Sequence, residues 1–114
     1  IKINELAQIN AYTKANAGLS SGRPGGIVFK TKRPNGSLGD SMTIDGNGSV
    51  TIGSSTAYKC ASLSINSTTG GLLVPRLTSE QIENIKKPEP GLIVYDTEKD
   101  TFVGYKKSGW TELF

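Results

Sequence analysis

Apolar and polar residues alternate with a period of two through most of the chain, and this pattern predicts strands joined by short glycine-rich turns. The run Gly26–Lys32 (GIVFKTK) is β-rich and ends at the turn residues Pro34-Asn35-Gly36. Ser41–Asp45 places Met42 and Ile44 on one face, and Ser49–Gly53 does the same with Val50 and Ile52. Between them Gly46-Asn47-Gly48 turns the chain, so the two runs form a β-hairpin. Each run is short of apolar residues, and the hairpin must therefore pack on something else. Alternation resumes at residues 60–69 through Leu63 and Ile65. Near the end, Leu92–Tyr95 and Thr101–Lys106 read as strands joined by a turn through Asp96–Asp100. Ser108-Gly109 turns the chain again into a short strand, Trp110–Leu113, and together the three make a small meander.

Two segments have a helical spacing instead. In residues 3–16, Ile3, Leu6 and Ile9 lie about three apart, which fits a short coiled-coil seam ended by Gly18 and the loop Ser20–Gly26. A disordered or extended linker fits the same residues. The second segment has a defined start. Thr78 followed by Gln81 is a capping box, and Leu77 and Ile82 have the spacing of a hydrophobic staple. Lys86 and Lys87 stand where a helix dipole favours cations, and Pro88 and Pro90 forbid continuation. These signals predict a helix over Ser79–Lys87, packed on one face of the meander.

Composition changes this picture in one respect. Hydrophobic residues make up 35% of the 114 positions, and there are 14 glycines. Such a chain builds only a thin core alone, and the alternative is to complete the core with other copies of itself. The chain begins at Ile1 rather than Met, as expected of a piece of a longer protein. The net charge of +3 is scattered. The pairs Lys86-Lys87 and Lys106-Lys107 read as solvated faces, so no nucleic-acid partner is expected. No apolar run reaches the roughly 18 residues that span a membrane, and no membrane insertion is expected. The single cysteine, Cys60, excludes an internal disulfide and reads as a small buried hydrophobe.

Candidate chemistry is sparse. The chain has no histidine, which removes the commonest member of zinc, general-base and triad sites. Asp45–Ser49 resembles the start of a calcium loop, but Val50 and Thr56 stand where an EF-hand needs Gly and Glu, so a plain turn is the better reading. Asp96, Glu98 and Asp100 cluster on what reads as an exposed hairpin loop, without the cleft that a glycosidase pair requires. The triplets beginning at Asn35, Asn47 and Asn66 match the glycosylation sequon but read as ordinary turns. No enzyme activity, cofactor or metal is expected. Tyr95, Tyr105 and Trp110 are the candidate ligand-binding residues, as rings that could stack on sugars or fill the core, with core filling favoured for Trp110.

Two segments resemble a known family. Gly26–Ser55, with Met42-Thr43-Ile44-Asp45, Gly46-Asn47-Gly48 and Val50-Thr51-Ile52-Gly53, is similar to a β-repeat of phage tail fibres and related surface proteins. Leu63–Trp110 resembles a C-terminal module of phage tail fibres and viral receptor-binding spikes. The resemblance is carried by Ser67-Thr68-Thr69, Leu73, Pro75-Arg76, Thr78, Gln81, Gly91-Leu92, Val94-Tyr95-Asp96-Thr97, Tyr105 and Trp110. Ile82 departs from the pattern, which is often basic there. The resemblance implies a parallel, often intertwined homotrimer in a virion tail fibre or spike, extracellular, with a host surface polysaccharide and the rest of the fibre as partners. The expected fold is mainly β with one short capped helix. Its expected divisions are a stalk or linker over 1–25, a shaft-like β-repeat over 26–62 and a head module over 63–114. Host attachment without catalysis is the expected function, and the alternative is a purely structural element that registers three chains.

Overall fold

The computed structural model describes residues 7–13 and 25–114, and its chain divides into two units, Ile1–Gly71 and Leu72–Phe114. The fold is mainly β with one short helix, as expected.

The first unit holds a five-stranded sheet in the order β1-β2-β3-β4-β5. Its strands are β1 (Ala7–Thr13), β2 (Gly25–Lys32), β3 (Leu38–Ile44), β4 (Val50–Ile52) and β5 (Leu63–Ile65). β1 to β4 are antiparallel neighbours, which gives the expected β3–β4 hairpin, and β5 lies parallel to β4. The two tight turns share one construction. Asn35 Oδ1 accepts the Ser37 N–H, and Asp45 Oδ1 accepts the N–H groups of Asn47 and Ser49. Gly36 and Gly48 then supply φ of 85° and 81°, a backbone region costly for side chains with a Cβ.

β1 corrects the helical reading of residues 3–16 over its described part; residues 3–6 and 14–16, with Gly18 and most of the following loop, lie outside the described residues. Its seven residues pair one for one with β2, Ile9 opposite Phe29 and Ala11 opposite Ile27, a non-local partnership that overrides the local three-residue spacing. β5 was expected to open the C-terminal module and instead closes this sheet. Cys60, expected buried, is exposed in the crossover between β4 and β5.

The register gathers the apolar side chains on one face. Ile9, Phe29, Met42, Ile52 and Ile65 form one cross-strand row, and Ala11, Ile27, Ile44, Val50 and Leu63 form the next on the same face. The intervening row is Asn10, Val28, Thr43, Thr51 and Ser64, and it faces the other way. The β4–β5 crossover lies over this second face, where the Thr51 hydroxyl donates to the Thr56 carbonyl at 3.2 Å. Thr43 and Thr51 are buried there.

The second unit holds a four-stranded sheet in the order β6-β7-β8-β9, made of Arg76–Leu77, Ile93–Asp96, Thr101–Lys106 and Gly109–Glu112. β7 to β9 are the expected meander, and β6 adds a parallel strand that the sequence did not announce. The helix α1 (Ser79–Glu83) follows β6 and has the expected capping box. Thr78 Oγ1 accepts the Gln81 N–H at 3.2 Å, and Gln81 Oε1 accepts the Thr78 N–H at 2.9 Å. It is shorter than the expected Ser79–Lys87. The Ile85 N–H bonds to the Ile82 carbonyl three residues back, and Lys87, ahead of Pro88, turns to φ 50°. Lys86 and Lys87 therefore lie beyond the last turn and do not act on the helix dipole.

Among the described residues the fully buried apolar side chains are Ile82, Val94 and Val103, with Leu77 and Trp110 packed against them. All five belong to the second unit, where α1 covers one face of the sheet. We predict that Ile82→Ala destabilises this unit by about 2–5 kcal/mol, read from denaturant unfolding followed by Trp110 fluorescence.

Candidate assembly surface and ligand site

Strand parity sorts the candidate rings. Val94 pairs with Val103, and Tyr105 pairs with Trp110, so these four side chains share the face under α1. The rings of Tyr105 and Trp110 meet edge to face at 5.2 Å, and Trp110 is half-buried against the core. Tyr95 follows Val94 and points to the opposite face, where it pairs with Phe102. The structure thus brings Tyr105 and Trp110 together and leaves Tyr95 on the other side of the sheet.

That other face is apolar and open. Tyr95 and Phe102 meet edge to face at 5.1 Å, and Phe102 meets Phe114 the same way at 5.7 Å. Ile93 lies beside them, and Leu113 lies over Gly104, where an added Cβ would sit 2.9 Å from a Leu113 methyl. Leu72, Leu73, Tyr95 and Phe102 border a small hollow of about 150 Å³. A second hollow of about 390 Å³ runs between Leu92, Ile93, Tyr105 and Leu113. These side chains are far from covered: Leu73 is 72% exposed and Phe114 93%. A soluble surface rarely carries so many large apolar groups together unless another molecule covers them.

The sequence signal for this face was present. GLIVY and TFVGY are apolar at consecutive positions rather than at alternate ones, which marks strands buried on both sides. Ile93, Phe102 and Phe114 were missed because attention went to rings with a polar handle.

The acidic cluster has a structural task. Asp96, expected on an exposed loop, is buried. Its Oδ1 accepts the Glu98 and Lys99 N–H groups at 2.9 and 3.0 Å, and its Oδ2 accepts the Ser79 hydroxyl at 2.7 Å. Glu98 Oε2 accepts the Ser79 N–H at 2.9 Å. The β7–β8 turn and the first turn of α1 are therefore held by the same two carboxylates, which satisfy donors that both would otherwise leave orphaned. The third acid, Asp100, accepts the Tyr95 hydroxyl, which raises the Tyr95 pKa above its ordinary 10.0.

Polar recognition groups converge elsewhere. A cleft of about 380 Å³ in the first unit is lined by Asp45, Asn47, Ser49, Ala57, Tyr58 and Lys59. Tyr58 is 48% exposed, and Asp45 keeps one carboxylate oxygen beyond the turn it closes. Among the described residues no group of acidic or cysteine side chains is arranged to hold a metal ion.

The Asp96 carboxyl is held below its ordinary pKa of 3.8 by the Lys99 N–H, with the Ser79 hydroxyl and the Glu98 N–H adding to this and burial opposing it. A depressed folded-state pKa stabilises the unit above the unfolded value, and that contribution is lost as pH falls through the folded one. We predict that thermal stability drops below about pH 3.8, and that Asp96→Asn is less stable near neutral pH and flatter across the acid range, measured by circular dichroism from about pH 7 to 2.

Residues 51–114, more than half of the chain, match the family described as "Phage tail like trimerisation region". No curated protein matches the chain. A chain whose second unit has a core of three fully buried apolar residues and an open aromatic face is suited to association with its own copies, and this one belongs to the phage tail-like trimerisation region family, a structural element of tail-fibre-type assemblies.

Proposed function

We propose that this chain is a non-catalytic fibre module in which three copies associate through the open face of the β6–β9 sheet, and that the assembled fibre attaches to host surface polysaccharide. The single observation that supports the assembly is the continuous apolar surface of Ile93, Tyr95, Phe102, Leu113 and Phe114, all within the family-matched residues. Burying it removes large apolar areas from water at about 25 cal/mol per Å², a return that no rearrangement within the described sheet offers. The covered face under α1 is already filled.

Attachment to polysaccharide is supported by the Asp45–Lys59 cleft. Its size suits one or two sugar rings, and it sets an exposed aromatic ring beside carboxylate, amide, hydroxyl and ammonium groups. Tyr105 and Trp110 are an alternative platform, and Tyr95 belongs to the assembly surface. Single-site affinity on the order of millimolar suffices, because three copies per fibre multiply it through avidity.

Light scattering on a sizing column should give three times the 12.1 kDa chain mass, and a monomer at all concentrations would overturn the assembly. On a glycan array, the protein should bind bacterial surface polysaccharides. Tyr58→Ala should lose that binding while Trp110→Phe keeps it. No binding by the unaltered protein would remove the attachment reading and leave the assembly untouched.

A further inference from the structure

We infer that the interface between copies extends past the family-matched residues, along the apolar face of the β1–β5 sheet, so that the N-terminal strands are also part of the trimer. The inference rests on the assembly reading above, and it concerns a different surface. Among the described residues the first unit has no fully buried apolar side chain. Its ten apolar positions instead lie in two adjacent cross-strand rows on one face, and several are widely exposed: Ile9 73%, Leu63 58%, Ile65 41%. A single-layer sheet with such a face is not stable in water until a second layer covers it.

The occupant of that face is two further copies of the same chain. Ile52, Leu63 and Ile65 fall inside the matched trimerisation region, and their rows continue without a break through β3, β2 and β1. An interface that includes β4 and β5 therefore meets the same apolar rows in the three strands hydrogen-bonded beside them. The ten positions carry no charge, so the face meets its own copy without like-charge repulsion. The opposite face is already overlaid by the β4–β5 crossover, anchored by the Thr51 hydroxyl on the Thr56 carbonyl.

The test uses the full chain with Ile9→Lys and, as a control on the other face of the same strand, Asn10→Lys. Ile9 is exposed in the single chain, so lysine there is tolerated by an isolated sheet and is disruptive only when the face is covered. Sedimentation velocity should show Ile9→Lys losing trimer at concentrations where the unaltered protein and Asn10→Lys remain assembled. If Ile9→Lys keeps the trimer mass and the unfolding midpoint of the control, the inference fails while the assembly reading stands. If the unaltered protein is monomeric, both fail. A second measurement is independent of any variant that might not fold. Isoleucine methyl signals of Ile9, Ile27, Ile52 and Ile65 should be protected from a soluble nitroxide in the unaltered protein. Broadening of these signals as strong as at a free surface would overturn the inference.

Discussion

An apolar face without a second layer is the constraint from which the rest of this molecule follows. A β-sheet separates its side chains onto two faces, and each apolar face must be buried against something. In the second unit one short helix covers one face of a four-stranded sheet and buries Ile82, Val94 and Val103. The other face, with Ile93, Phe102 and Phe114, has no such cover in the chain. In the first unit the balance is more extreme. The crossover lies over the polar face, and the apolar rows from Ile9 to Ile65 are left open. A chain with 35% hydrophobic residues has too few to cover both sheets with its own elements. Membership of a trimerisation family supplies the remedy that the physics requires.

The polar interactions have a different role, which is to fix geometry rather than to provide bulk stability. Asp45 and Asn35 tighten turns that set the β2–β3 and β3–β4 registers. Asp96 and Glu98 bind the start of α1 to the β7–β8 turn, and so place Ile82 over the Val94–Val103 pair. A helix of five residues is far below the length at which isolated helices persist, and its position depends on these bonds and on the staple of Leu77 and Ile82. The unit is thereby rigid enough to present a defined apolar face, which a loosely held helix would not permit.

Much of this was legible in the sequence because it is local. The β3–β4 hairpin, the meander and the Thr78–Gln81 capping box depend on spacing within a few residues, and each formed as read. What was not legible depends on partners far along the chain. β1 carries a three-residue apolar spacing but pairs with β2 across residues 14–24, and pairing decides its conformation. Asp96 is buried only because Ser79, 17 positions earlier, comes to lie against it. Tyr95 and Tyr105 looked equivalent until the register placed them on opposite faces. The apolar runs around Ile93 and Phe102 did hold the signal for a two-sided strand, and it is the part of the site that composition and periodicity together could have found.

The most direct test of this account is the dependence of the thermal unfolding midpoint on protein concentration. A fold completed by its own copies is stabilised by mass action, so the midpoint should rise steadily over a hundredfold increase in concentration. A midpoint that stays constant over that range, for a protein that refolds on cooling, would mean that one chain is stable with its apolar faces open, and would contradict the account.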